Sequence, residues 1–322
     1  MNRPTLQDVL EARKTISPYV PRTPLHSYPA LDQLLGATVR LKHENHQALG
    51  SFKVRGGVNL LAHMSEEERA RGVVTASSGN HGQSIAYACR QFGAKAVICL
   101  PEGANPLKVR SMRNQGAEIV FHGKNFDESR EHCARLADER GYRFVHAVNE
   151  PLLIAGVGTE TLEIIEDFPE VDCIYVPLGG GSGAAGACVV AKAINPNIKV
   201  VAVQSAQAQG GYLSWRNRRL TESPMGTAAE GLATSTGYQM TQEILWDLLD
   251  DFILVDDDEM KEAIGILIDS AHTLAEAAGA ASLAGAMKDQ VNIKGKNVVV
   301  IVSGGNITIP QLRSVLDQYD RT

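Results

Sequence analysis

The stretch Cys173-Ile-Tyr-Val-Pro-Leu-Gly-Gly-Gly-Ser-Gly-Ala-Ala-Gly-Ala-Cys-Val-Val-Ala-Lys-Ala-Ile194 decides the fold. An apolar run from Cys173 to Leu178 passes through glycines into an alanine-rich helical stretch, Ala184 to Ile194, which is the pattern of a buried parallel strand feeding a helix. Glycines let the backbone approach an anion closely, and the helix start aims free N–H groups and a positive dipole end at it. The segment therefore reads as a phosphate cradle, although a plain strand-to-helix turn uses the same residues. Gly181 to Gly186 also fits GxGxxG, a weak pattern by itself. A dinucleotide site would place an acidic residue about 20 positions on, at the end of the next strand. Here the run Lys199–Val203 is followed by Gln204, so the phosphate of a smaller cofactor fits better.

The same alternation extends in both directions. Val73–Thr75 precedes helical Ile85–Phe92, Ala96–Leu100 precedes Leu107–Asn114, and Ile119–Phe121 precedes Phe126–Arg140. Beyond the glycine turn come Lys199–Val203, helical Glu259–Thr273 and Glu276–Lys288, and Val298–Val302. This predicts an α/β protein with two open, twisted, mainly parallel sheets flanked by helices. No repeat, low-complexity tract or long linker divides the chain, so a second domain is inserted in the first: residues 48–147 form a smaller domain within a larger one made of 1–47 and 148–322. The cleft between them is the expected active site.

At 322 residues, 44% hydrophobic and 21% charged, the chain has ordinary globular composition. A net charge of −6 without a basic stripe excludes a nucleic-acid surface. The first residues, MNRPTLQDVLEARKTI, carry charge where a signal peptide needs an apolar run, and no window reaches membrane-span length, so a cytoplasmic location is expected. Cys89, Cys99, Cys133, Cys173 and Cys188 are odd in number and lack CxxC spacing, and read as reduced thiols, mostly buried. Asn306-Ile-Thr308 matches a glycosylation sequon, which means little without a secretion signal.

Three further segments carry chemistry. In Gly50-Ser-Phe-Lys-Val-Arg-Gly-Gly57, Lys53 sits in a glycine-flanked stretch just before a helix. A partly desolvated ammonium has a lowered pKa and becomes an amine nucleophile toward aldehydes, while an ordinary surface lysine at a helix start looks the same in sequence. The turn Ala76-Ser-Ser-Gly-Asn-His-Gly-Gln83 gathers hydroxyls, an amide and backbone N–H groups that suit a carboxylate and a phenolic oxygen, or that simply cap a helix. Val302-Ser-Gly-Gly-Asn306 closes the last strong strand with a hydroxyl placed to meet a ring nitrogen or to finish a turn.

In this order, the four segments resemble the pyridoxal-phosphate enzymes that share the tryptophan synthase β-subunit fold. The similarity is strongest to their threonine/serine dehydratase and serine racemase branch. It runs from Arg22-Thr-Pro-Leu25 through Glu44-Asn45, the Ser-Phe-Lys segment, the Ser-Ser-Gly-Asn-His turn, the glycine loop and Ala229-Glu-Gly-Leu-Ala233 to the final Ser-Gly-Gly-Asn. The resemblance implies that Lys53 forms the Schiff base with pyridoxal 5'-phosphate and Phe52 packs on its ring. It also implies that Asn80 bonds the phenolic oxygen, that Gly179, Gly180, Gly181, Ser182 and Gly183 hold the phosphate, and that Ser303 faces the pyridine nitrogen. Ser77, Ser78, Gly79, Asn80 and His81 receive the substrate carboxylate, with Ser78 across the substrate from Lys53. The catalytic pair is then Lys53 and Ser78.

A neutral serine opposite the ring nitrogen gives a weaker electron sink than an aspartate and favours elimination over transamination. The expected activity is a lyase, a threonine or serine ammonia-lyase of amino-acid catabolism. The alternatives are a racemase of serine, threonine or hydroxy-aspartate, supported by the Ser78 hydroxyl, a specialised dehydratase such as that of hydroxyectoine utilisation, and a non-catalytic ligand-binding protein on the same fold. A homodimer or higher homo-oligomer is expected.

Departures from the family pattern are Ser182 where a fourth glycine is common, Leu49 where a small polar residue is usual, and Gln204 where racemase-like members carry a cation-binding glutamate. No tight divalent metal site is expected. His43, Glu44 and His46 lack the HExxH order. About 20 residues follow the last strong strand, too few for the regulatory domain of biosynthetic threonine dehydratases.

Overall fold

The structure, a computed structural model, describes residues 3–319. Six strands form the larger sheet: β1 (Leu25–Ser27), β2 (Thr38–Lys42), β7 (Cys173–Pro177), β8 (Lys199–Ser205), β9 (Asp251–Val255) and β10 (Asn297–Ile301), in the order β1-β2-β10-β7-β8-β9. Only β1 runs antiparallel, pairing Leu25 with Lys42. β3 (Val73–Ala76), β4 (Ala96–Leu100), β5 (Glu118–Phe121) and β6 (Arg143–Phe144) form a second, wholly parallel sheet in the order β5-β4-β3-β6.

Most strands legible in the sequence are buried on both faces, the exception being edge strand β5, whose Glu118 and Phe121 are exposed. Val298, Val299, Val300 and Ile301 of β10 and Ile174 and Tyr175 of β7 are inaccessible to solvent, because helices cover both sides. On one face helices 6–16, 151–167, 182–194 and 239–248 pack over Ile174, Val176, Val200 and Val299. On the other, helices 29–35, 257–271 and 277–288 cover Val39, Tyr175, Val201 and Val300. The smaller sheet has helices 53–62, 80–91 and 106–114 on one side and helix 126–140, through Cys133 and Leu136, on the other.

Helix 151–167 joins these layers. It buries 13 of its 17 residues, so it shows no amphipathic stripe and the sequence pattern does not announce it. Its glycines permit close approach: a Cβ at Gly156 would stand 2.6 Å from the Arg55 carbonyl oxygen, and one at Gly186, on helix 182–194, would stand 2.9 Å from the Gly158 nitrogen. The helix that begins at Lys53 and the helix that begins at Ser182 are thereby held against the same support. The apolar layer of the smaller sheet also takes in Ile16, Val20 and Leu153, so the core runs on past residues 48–147.

Candidate active site

Lys53 is the first residue of helix 53–62, and Ser182 is the first of helix 182–194. Two residues 129 positions apart meet there: Lys53 Nζ donates to Ser182 Oγ at 3.0 Å and lies 4.6 Å from the centre of the Phe52 ring. Burial lowers the Lys53 amine from 10.5 to about 8, with Glu160 opposing that effect. The Phe52 ring edge faces the Cα of Gly183, where a Cβ would be 3.4 Å away.

The glycine loop is built so that side chains are excluded. Gly181 has φ +95°, a left-handed conformation that a side chain would strain. A Cβ at Gly179 would collide with the Gly231 carbonyl oxygen, and one at Gly180 with Val148 Cγ2. Thr241 Oγ1 donates to the Gly180 carbonyl at 2.9 Å, so that oxygen is already paired. The result is a bare backbone concavity at a helix N-terminus with the Lys53 amine beside it, which matches what a phosphate joined to an aldehyde needs. These residues fit pyridoxal phosphate.

The turn after β3 lies on the smaller sheet. Ser77 Oγ accepts from Gly79 N at 3.3 Å and Gly82 N at 3.1 Å, so this hydroxyl caps helix 80–91. The N–H groups of Asn80 and His81, in the first turn of the helix, have no acceptor within it. Beside Gly79, where a Cβ would meet nothing within 4 Å, the turn is open. Ser78 is half-buried on that turn. The His81 ring faces away from the opening, with Nε2 3.1 Å from Thr75 Oγ1, and burial, with Lys53 and His146 nearby, lowers it to about 3.

The terminal segment completes the ring of elements. Ser303 is buried, its Oγ 3.5 Å from the Ala278 carbonyl, and its own carbonyl accepts from Phe52 N at 3.1 Å. Asn80 Nδ2 donates to Glu276 Oε1 at 2.6 Å, and Asn306 Nδ2 donates to Asn80 Oδ1 at 2.8 Å. The four segments singled out in sequence thus converge. Glu276 and Asn306 were not assigned roles from sequence: a glutamate ahead of an alanine-rich helix reads as a solvated cap, and its partner lies 196 residues away.

Beneath Lys53 lies a buried charge network that the sequence did not signal. Arg55 binds Glu44 (2.7 and 2.8 Å) and Glu163 (2.7 and 2.9 Å), and Lys42 Nζ reaches Glu163 at 2.5 Å. Burial and Glu44 push the Glu160 carboxyl well above the usual carboxylate range, and its Oε2 has no hydrogen-bond partner. Gln204 is fully buried and committed to Thr234 Oγ1 (3.2 Å) and Tyr212 N (2.9 Å). All five cysteines are buried and free.

The chain belongs to the pyridoxal-phosphate dependent enzymes, whose family profile matches residues 16–304. Among its relatives is the L-threonine ammonia-lyase of Thermotoga maritima, 40% identical over 316 residues that make up 98% of this chain and 78% of that protein. The fold is similar to maize serine racemase, with TM-score 0.93 and 31% identity over 99% of both chains. It is equally similar to the processed form of threonine deaminase isoform 2 from Solanum lycopersicum, with TM-score 0.92 and 30% identity over 98% of this chain and 96% of that one.

Proposed function

We propose that the chain is a pyridoxal-phosphate-dependent ammonia-lyase that converts a small β-hydroxy amino acid, such as L-threonine or L-serine, to a 2-oxo acid and ammonia. The observation that carries this reading is the desolvated Lys53 amine, 3.0 Å from Ser182 Oγ at the foot of a side-chain-free loop. The similarity to an L-threonine ammonia-lyase supports the reaction and the substrate class.

Gly179 to Gly183 would hold the phosphate, Phe52 the ring face, Asn80 the phenolic oxygen and Ser303 the ring nitrogen. The cofactor supplies an aldehyde that links to amines and a conjugated ring that accepts the electron pair released at Cα. Lys53, whose amine burial lowers from 10.5 to about 8, takes the Cα proton as general base. The N–H groups of Asn80 and His81 hold the substrate carboxylate, which fixes the Cα–H bond toward the lysine. The Ser303 hydroxyl would leave the ring nitrogen without a formal counter-charge, which favours elimination over transamination, and the proton that Lys53 takes from Cα returns to the β-hydroxyl so that it leaves as water. The enamine released after elimination tautomerises and hydrolyses in water to the 2-oxo acid and ammonia.

Racemisation is the second reading, favoured by the Ser78 hydroxyl on the carboxylate turn and by the similarity to maize serine racemase. Incubating L- and D-serine, threonine, phenylserine and hydroxy-aspartate with the enzyme, and scoring 2-oxo acid, ammonia and inverted amino acid, separates the two. Elimination predicts 2-oxo acid and ammonia in equal amounts from an L-enantiomer, persisting in Ser78→Ala. Inverted product alone refutes the lyase reading.

Among the described residues no helix is long and apolar enough to cross a membrane. Five free cysteines support a reducing compartment, the cytoplasm.

A further inference from the structure

We propose that Glu276 is a positioning residue that fixes the side-chain amide of Asn80, so that one N–H of Asn80 is always presented to the cofactor's ring oxygen. This rests on the reading that Asn80 faces that oxygen, and it assigns the work of orientation to a residue on a different element.

An asparagine amide rotates freely about its last bond, and either its oxygen or its nitrogen can face a given partner. Presenting the oxygen to an oxyanion would be repulsive, so an Asn that serves a phenolate must be held one way round. Asn80 is held on both sides: Nδ2 gives one proton to Glu276 Oε1 at 2.6 Å, and Oδ1 accepts from Asn306 Nδ2 at 2.8 Å. Nδ2 keeps a second proton. Asn306 is itself fixed, because Nδ2 also donates to the Leu49 carbonyl at 2.8 Å, four residues before Lys53.

Glu276 is equally constrained. It precedes helix 277–288, its N–H donates to the Gly304 carbonyl at 3.0 Å, and a Cβ at Gly304 would stand 2.5 Å from its Oε1. Residue 304 therefore has to be glycine for the carboxyl to reach Asn80. The charged groups around it are Lys108 on helix 106–114 and Glu230 in the turn 230–232, which pair with each other at 2.5 Å. Burial raises the Glu276 carboxyl above its ordinary value, against Lys108 and the Asn80 hydrogen bond. Either protonation state leaves Oε1 as an acceptor, so the role is geometric and a glutamine can perform it.

The test is a set of full-length variants, stripped and reloaded with pyridoxal phosphate. Cofactor Kd and the position of the visible absorption band are read for wild type, E276Q, E276A, N80A and the double variant E276A/N80A, with near-UV circular dichroism to verify folding. The expected result is that E276Q stays within about threefold of wild type in Kd while E276A and N80A each weaken it by about tenfold or more. The double variant should match N80A alone, because the two residues act through one contact. The proposal is overturned if E276A binds and absorbs as wild type, if E276Q loses as much as N80A, or if the two losses multiply in the double variant. Should E276A fail to fold, E276M, which keeps the bulk and removes the acceptor, takes its place under the same criteria. N80A indistinguishable from wild type removes the underlying reading and the proposal with it, whereas loss in N80A with none in E276A overturns the proposal only.

Discussion

Burial of Lys53 has a kinetic signature that a pH series reads directly. Only a neutral amine attacks an aldehyde, so the rate at which stripped protein takes up pyridoxal phosphate follows the neutral fraction of Lys53. With the amine lowered from 10.5 to about 8, that fraction climbs steeply below pH 8 and then saturates. Worked through, the rate rises about 50-fold from pH 6 to 8 and only about 2-fold from pH 8 to 10, while an unshifted lysine gives about 75-fold over the second interval. Stopped-flow absorbance of the forming chromophore supplies the rates. A parallel reaction with Nα-acetyl-lysine, corrected for its own neutral fraction, removes the cofactor's ionisations. A rise of more than about 20-fold between pH 8 and 10 would falsify the claim that burial activates this amine.

Two substitutions probe the supports of the site. Arg55→Met leaves Glu44 and Glu163 with Lys42 as the remaining buried cation of the network, a loss of about 3–5 kcal/mol. At ~2.1 cal/mol/K per residue over 322 residues, Tm should fall by about 4–7 °C in calorimetry, and a change under about 1 °C would show that the network is not coupled to folding. Gly179→Ala drives a methyl into the Gly231 carbonyl, a rigid backbone atom, and overpacking of about 1–3 kcal/mol weakens cofactor binding by about 5- to 150-fold. Titration with wild-type affinity would mean that the loop does not need its bare backbone.

Edge strand β5 apart, the strands that could be read from sequence are those whose environment is uniform. β7 and β10 are apolar throughout because both faces are covered, and β3 and β4 are read for the same reason. β2, Thr38–Lys42, was not seen because it alternates with Arg40 and Lys42, and Lys42 is tolerated inside through the Thr23 carbonyl and through Glu163, 121 residues away. β9 opens on an aspartate and leaves Ile253 and Leu254 only partly buried, and helix 151–167 hides its period by being buried all round. The site divides along the same line. Lys53, Phe52, the glycine loop and Ser303 lie in compositionally unusual turns that mark themselves. Glu276, Asn306 and the Arg55 network acquire meaning only from partners brought close by the fold, as does the His81 ring, which is hydrogen-bonded to Thr75.

The most direct measurement is the visible spectrum of the loaded enzyme, followed by borohydride reduction and peptide mass mapping, in wild type and Lys53→Ala. The account predicts a band near ~410–420 nm that reduction converts to a cofactor adduct on the peptide containing Lys53, and no such band or adduct in Lys53→Ala. An adduct on any other lysine in the wild-type protein, or a band that survives in Lys53→Ala, would contradict it.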